Sequence, residues 1–348
     1  MEDDRDVSLP PTGHEEDPDH SPVTLIEAED DGYFSASDAS SNIISLDSTV
    51  RSFIFENDRR YHKFKEGRYV FPNDDAEQER EDMKHAMVVA LCNGSLHSAP
   101  IKNPQTILDV GTGTGIWAID MGDEYPGAVI TGIDLSPIQP AYVPSNVFFV
   151  IDDAEAEWLY PDNSIDYVHI RNMGAAIKDW KILLAQAYRV VKPGGWIEIQ
   201  EMKWNFSCDD GTMPSDYALT KMMGLVWEGL AVFGIEPDVA DIIPQRLKDA
   251  GFLHQVQNFQ KVPIGEWPKR ADLKMIGVYC QNVLHDGIHA VTIGPLTRGL
   301  RWSSEAVELF LVDVRKHLLD PSIHSYVFYH SVAGQKPCME PAQSNFLE

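Results

Sequence analysis

Cysteine is scarce in this chain of 348 residues: Cys92, Cys208, Cys280 and Cys338 stand far apart, with no C-x-x-C pair. That spacing excludes a disulfide framework and a cysteine zinc site, leaving reduced structural thiols as the expectation. No H-E-x-x-H or calcium-loop spacing occurs and the twelve histidines are scattered, so no metal role is expected. No apolar run approaches the roughly 18 residues of a membrane span. The start, Met1-Glu2-Asp3-Asp4-Arg5-Asp6, lacks the basic and apolar regions of a secretory leader, which points to an intracellular protein. Positive charge is also short, with 28 Lys and Arg against 54 Asp and Glu and a net charge of −26. Such a balance does not attract phosphate backbones, so direct nucleic-acid binding is not expected.

Half of that charge sits in the first fifty residues, which hold fourteen acids and a single base, Arg5. Residues 1–48 are also rich in Ser and Pro and poor in aromatics, and cannot bury enough apolar surface to offset the entropy of ordering. A disordered acidic tail is expected there, suited to a regulatory protein partner or simply to solubility. The composition then changes to Phe53, Ile54, Phe55, Tyr61, His62, Phe64, Tyr69 and Phe71, with a basic cluster of Arg59, Arg60, Lys63, Lys65 and Arg68 between them. The aromatics should pack on the body and the bases form a solvated or internally paired face. Pro72-Asn73-Asp74-Asp75 reads as a helix start capped by Asn73, with Met83, Met87 and Leu91 as a core stripe and Asn93-Gly94 as the stop.

The most informative stretch is Ile107-Leu108-Asp109-Val110-Gly111-Thr112-Gly113-Thr114-Gly115, a short apolar strand running into a glycine turn and a helix. Glycine at alternate positions lets backbone approach a ligand, and the helix start presents free N–H donors. Asp134 ends the next apolar run, nineteen residues after Gly115, where an acid at a strand tip meets ribose hydroxyls. Asp109, inside the motif, suits a ligand's cationic amino group. A nicotinamide dinucleotide fits less well, because the third glycine follows the second by two positions rather than three.

Residues 106–200 alternate strand and helix as a doubly wound parallel sheet requires, with strands at 106–110, 129–133, 147–151, 165–170 and 196–200 and a helix at 180–191. Lys192-Pro193-Gly194-Gly195 reads as the turn after that helix. Beyond Glu201 the pattern is mostly helical, with further strand candidates at 252–262 and 323–332. The division expected is a tail at 1–48, an aromatic and helical lid segment at 49–100, a ligand-binding core at 101–205, a C-terminal part with helical insertions at 206–337 and a flexible end at 338–348.

Asp-x-Gly-x-Gly-x-Gly at 109–115, Asp134, Asp152-Asp153-Ala154 and Lys192-Pro193-Gly194-Gly195 together resemble the class I S-adenosylmethionine-dependent methyltransferases. Gly111 to Asp120, Asp134 to Pro140, Ile151 to Glu155, Tyr61-His62-x-x-Lys65-Glu66-Gly67 and Asp209-Asp210-Gly211-Thr212 look more finely like the LaeA-like fungal methyltransferases, over roughly residues 55–337. The resemblance implies a Rossmann-like α/β fold, a doubly wound seven-stranded sheet whose last strand is antiparallel, and S-adenosylmethionine as cofactor. It implies that the glycine turn, with Gly111, Thr112, Gly113 and Gly115, meets the methionine part, Asp134 the ribose, and Asp153 and the Ala154 backbone the adenine, with Leu135 and Asp152 also at the cofactor. Arg171, at the end of the fourth strand, should lie under the sulfonium or serve as an ion-pair partner. It further implies a regulator of fungal secondary metabolism and development in nucleus and cytoplasm.

Methyl transfer chiefly requires a nucleophile held in line with the bond that breaks, and a base only when that nucleophile arrives protonated. The candidates are His169, Glu201 and Tyr61, with Tyr61 and His62 also suited to a lid. His169 reads equally as a hydrogen-bonded core residue and Glu201 as a cap. The acceptor stays open between a protein and a small molecule of a biosynthetic pathway, and a cofactor-binding but non-catalytic regulatory subunit is a third reading.

Overall fold

A computed structural model of the chain describes residues 53–56, 59–65, 69–237 and 239–338. The acidic segment 1–48, Arg68, the Glu66-Gly67 end of the Tyr61 motif and residues 339–348 lie outside these.

The described chain opens on an antiparallel hairpin, β1 (Phe53–Glu56) and β2 (Arg59–His62), followed by helix α1 (Asp75–Leu91). Its cap is Asp74 rather than Asn73: the Asp74 carboxylate accepts the Glu77 N–H at 3.1 Å. The helix starts one residue later than expected, which puts Asn73 out of reach, and its amide instead meets the Ser136 hydroxyl at 3.2 Å. Asp74 also takes the Arg59 guanidinium at 2.5 and 2.8 Å, Arg60 pairs with Asp75 at 3.1 Å, and Lys65 reaches Asp153 at 2.7 Å. Three bases of the cluster are thus paired within the chain. In the Met stripe, Met87 and Leu91 are buried and Met83 is half-buried.

The sheet begins with β3 (Thr106–Val110), helix α2 (Ile116–Glu124), β4 (Val129–Asp134), β5 (Val147–Ile151), β6 (Ile165–Arg171), helix α3 (Trp180–Val190) and β7 (Val191–Ser207). The C-terminal part adds α4 (Ala218–Ala231), α5 (Ile243–Asp249), β8 (Leu253–Pro263), α6 (Ala271–Gly294), α7 (Ser304–Leu318) and β9 (Tyr326–Gln335). The seven strands lie in the order β5-β4-β3-β6-β7-β9-β8, with β9 antiparallel to both neighbours. This is the Rossmann-like doubly wound sheet expected, with helical additions. The fifth strand is longer than expected. It begins at Val191, so Lys192-Pro193-Gly194-Gly195 forms a bulge between the Ile165–Val191 and Tyr167–Trp196 pairs. Gly194, at φ +82°, gives its N–H to the Lys336 carbonyl, which joins the strand span to the chain's C-terminal end.

Alternate residues of β3 and β6 face opposite ways. Leu108, Val110, Val168 and Ile170 pack under α3 and α5 with Leu183, Leu184 and Leu247. Ile107 and Tyr167 face α2 with Trp117, Ala118 and Met121. A third apolar body joins α1, α4, α6 and α7 to the far ends of β7 and β8 through Met222, Val226, Ile276, Leu284, Leu311 and Val262. The helical additions therefore stand over the edge where β3 to β7 leave the sheet. Among the described residues no helix is long and apolar enough to cross a membrane.

Candidate active site

On leaving β3 the backbone passes through Gly111, Gly113 and Gly115 at φ +73°, +59° and +83°, a region that a side chain strains. Gly115 ends the turn as the residue before α2, packed so closely on Phe149 that a Cβ would overlap its ring. A Cβ at Gly113 would meet no protein atom within 4 Å, so that position borders open space. The Gly113 N–H donates to Asp134 Oδ2 at 2.9 Å, and the Ser136 N–H to Oδ1 at 2.8 Å. Burial pushes the Asp134 carboxyl up, and these N–H groups pull the other way. Gln139 closes the turn from the other side, donating to the Gly113 carbonyl at 2.6 Å.

Beside this turn lies a cavity of about 250 Å³. Gly111 and Gly113 reach it from β3, and Asp134 and Leu135 from β4. Asp152, Asp153 and Ala154 reach it from the exit of β5, Arg171 from β6 and Glu201 from β7. A smaller adjoining recess of about 50 Å³ is bordered by Asp109, Thr112, His169, Glu81 and Arg171. Gly115 borders neither, and acts by setting the start of α2.

Asp109 and His169 are register partners on β3 and β6, so their side chains share a face. Asp109 accepts the Thr112 hydroxyl at 2.6 Å and lies 2.7 Å from His169 Nδ1. The imidazole stacks on Trp117 with ring centroids 3.6 Å apart, and its Nε2 is buried without a hydrogen-bond partner among the described residues. His169 is thus held as a buried residue by its neighbours. Tyr61 is displaced from the role expected of it: its buried ring sits below the Arg298 guanidinium, 5.0 Å away, and neither it nor His62 lines the cavity. Both side chains are buried, and Tyr69 and Phe71 line the cavity instead.

Glu201 is buried on β7, directly after Gln200, the register partner of Arg171. Its carboxylate accepts the Gly174 N–H at 2.9 Å. Burial pushes its carboxyl up to about 7, against the Gly174 and Met173 N–H groups and the Lys84 cation, which favour the charged form. Opposite it stands a wall that the sequence reading missed: Glu77, Arg80, Glu81 and Lys84 of α1 all line the cavity. Arg80 Nε donates to Glu77 at 3.0 Å and Lys84 to Glu81 at 2.8 Å. Burial works to raise the Glu81 carboxyl, but the Arg80 and Lys84 cations outweigh it and leave the group below its usual range. The spacing i, i+3, i+4, i+7 was the available signal, since it places all four on one helix face.

A Methyltransferase domain family model matches residues 80–266. Methyltransferase pytC of Aspergillus terreus is 38% identical over 302 residues, spanning 86% of this chain and 93% of its own length. Secondary metabolism regulator LAE1 of Cochliobolus heterostrophus is 36% identical, over 81% of this chain and 94% of its own. Protein-methionine methyltransferase laeA of Emericella nidulans is 31% identical, over 85% of this chain and 80% of its own.

The residues present fit the methyl donor of such enzymes. The recess offers acids, Glu81 and Asp109, and a guanidinium, Arg171, which suit an ammonium and a carboxylate on one carbon. The space at Gly113 is where a bulkier residue would intrude on the cavity, and the half-buried Asp134 carboxylate keeps acceptor capacity for hydroxyls. The chain belongs to the methyltransferase-domain family that includes the LaeA-like proteins, and is an S-adenosylmethionine-dependent methyltransferase.

Proposed function

We propose that this methyltransferase holds S-adenosylmethionine across the exits of β3 to β6 and serves fungal secondary metabolism as a regulator, in nucleus and cytoplasm. The observation that carries the placement is the Asp134 carboxylate, fixed by the Gly113 and Ser136 N–H groups at the border of the cavity. In this reading Gly111, Thr112, Gly113, Asp109 and Arg171 take the amino-acid end. Asp134 and Leu135 take the ribose, and Asp152, Asp153 and Ala154 take the adenine. Bound there, the cofactor supplies an electrophilic methyl group, and the chain's part is to orient the two reactants and exclude water. The regulatory role is supported by relatives named as regulators, and the acidic segment 1–48 is suited by composition to a protein partner.

A second reading, an O- or N-methyltransferase acting on a small molecule of a biosynthetic pathway, is favoured by the apolar helical wall of the cavity. Isothermal titration with S-adenosylmethionine, on the wild type and Gly113→Asp, tests the cofactor placement. The substitution puts a carboxylate into the space at Gly113, and binding should disappear. Reintroducing each form into a strain lacking the chain tests the role, because metabolite output should fail with the non-binding variant. Undiminished binding by Gly113→Asp would refute the placement, and undiminished output would refute the dependence on methyl transfer. A fluorescent fusion reads the compartment directly.

A further inference from the structure

The cavity has two chemically distinct ends. The one beside the glycine turn is polar backbone and carboxylate, whereas the other is bounded by α4, α6 and β7. There α4 contributes Met222, Val226 and Trp227, and α6 contributes Leu284, Ile288 and Val291. On α4, Met222 and Val226 stand one turn apart on the same face and are fully buried, with the half-buried Trp227 beside them. Glu201 stands between the two ends, one residue past the register partner of Arg171 and against the Met173-Gly174 backbone.

We propose that this apolar arm is the acceptor subsite, that the acceptor is a small, largely apolar molecule carrying an ionisable O–H group, and that Glu201 is the catalytic residue that receives its proton. The proposal rests on the cofactor placement given above and deepens it. The acceptor oxygen forms a bond to the transferred methyl carbon while its O–H proton passes to a Glu201 oxygen. The bonding pair of the broken carbon–sulfur bond stays on sulfur, and Glu201 releases its proton to solvent.

Two observations separate this acceptor from a methionine side chain of a protein. A thioether has no proton to give up, so a methionine acceptor makes no use of a carboxyl buried beside the reacting end. The arm is also lined by apolar side chains of α4 and α6, which suit a small apolar molecule. Carboxyl burial supports the assignment, since it brings Glu201 close to the working pH as a proton acceptor. Charged and titratable groups lining the same cavity include Glu77, Arg80, Glu81 and Lys84 on α1, Arg171 on β6 and Lys203 on its own strand, and His330 is its register partner on β9.

The test uses the full chain, with labelled S-adenosylmethionine and a fractionated fungal extract, for wild type, Glu201→Gln, Met222→Trp and Trp227→Ala. Label should enter an organic-soluble product as a methyl ether stable to mild base. Met222→Trp fills the arm and should abolish this while cofactor binding by calorimetry persists. Because Met222 is core and that variant is prone to misfolding, the half-buried Trp227 gives the second measurement: Trp227→Ala should raise the acceptor KM about 10-fold with kcat held. Glu201→Gln should lower kcat by roughly 100-fold and remove the rise of kcat/KM through the wild-type Glu201 pKa. A readout independent of turnover is 2-naphthol, which should quench tryptophan emission saturably in the wild type, but not in Met222→Trp with an intact melting transition. Label in the protein fraction, a base-labile methyl, or unsaturable naphthol quenching with cofactor binding intact overturns this inference alone. Absence of cofactor binding in the wild type overturns the placement and the inference with it.

Discussion

Asp134 accepts the Gly113 N–H at 2.9 Å, so the acid at the tip of β4 sets the shape of the turn at the tip of β3. The same carboxylate is the one proposed to meet ribose hydroxyls. Charge-assisted hydrogen bonds of this type contribute about 1.5 to 3 kcal/mol each, and about 1.4 kcal/mol is tenfold in affinity. Asp134→Ala should therefore weaken S-adenosylmethionine binding by roughly 100-fold or more, and Asp134→Asn by about tenfold, because the amide keeps one acceptor oxygen. Calorimetric dissociation constants equal to the wild type's for both variants would remove Asp134 from the site.

Glu201 links the active site to stability. Its folded carboxyl is raised to about 7 from the ordinary 4.5 of a glutamate, so the folded chain resists its ionisation. A raised pKa contributes stability that is fully present below the unfolded value and is lost as pH rises through the folded one. The window for Glu201 is thus the interval from 4.5 up to about 7. Its full ionisation costs on the order of 3 kcal/mol, a figure set by the size of the shift. Glu201→Gln stays neutral and should melt above the wild type at about pH 8 and level with it at about pH 4. Urea unfolding at both pH values measures this; a variant less stable than wild type at the higher one contradicts the assigned burial cost.

Asp109 and His169 share a buried hydrogen bond of 2.7 Å, so removing His169 takes a partner from a buried carboxyl group. Taking a hydrogen-bond partner from a buried polar group costs about 1 to 3 kcal/mol. His169→Leu should destabilise by that order in denaturant unfolding, with Thr112 the remaining side-chain donor to Asp109. Turnover of the surviving folded protein should keep the wild-type pH profile, because His169 is held as a positioning residue and Glu201 is assigned the proton. A profile that loses its rise in His169→Leu would move the base to His169.

Much of this arrangement is legible in the residues themselves. The strands β3, β4 and β5 are short apolar runs ending in turn residues, and the separation of Asp134 from Gly115 follows from one strand-helix-strand repeat. What is not legible depends on partners distant in sequence. Glu77, Arg80, Glu81 and Lys84 look like a solvated helix face, yet Glu77, Arg80 and Lys84 are buried and Glu81 half-buried, because α6 comes so close that a Cβ at Gly287 would lie within 2.8 Å of Arg80 Cδ. Aromatic density between 53 and 71 marks a segment that packs on the body without saying that Tyr69 and Phe71, rather than Tyr61, border the cavity. The shifted carboxyl of Glu201 likewise depends on the Gly174 backbone and on burial, neither of which has a local signature.

Lys65 reaches from the segment after β2 to Asp153 at 2.7 Å, across the part of the cavity edge proposed for the adenine. Its side chain is 43% exposed against 10% for Asp153, and a pair of that exposure contributes about 1 kcal/mol or less to folding. Its larger effect should be on exchange of the cofactor, since Lys65 is bound to one of the residues proposed to meet the adenine. Lys65→Ala should leave the melting temperature within about 2 °C of wild type, a shift expected for so small a change in a chain this long. The same variant should raise the dissociation rate of S-adenosylhomocysteine several-fold, with a smaller change in the association rate. Stopped-flow displacement at low and high salt checks both points, because raising the ionic strength should bring the wild-type rate toward that of Lys65→Ala. Equal dissociation rates in the two proteins at low salt would mean that the segment does not gate the cofactor, and would leave Lys65–Asp153 as a surface ion pair alone.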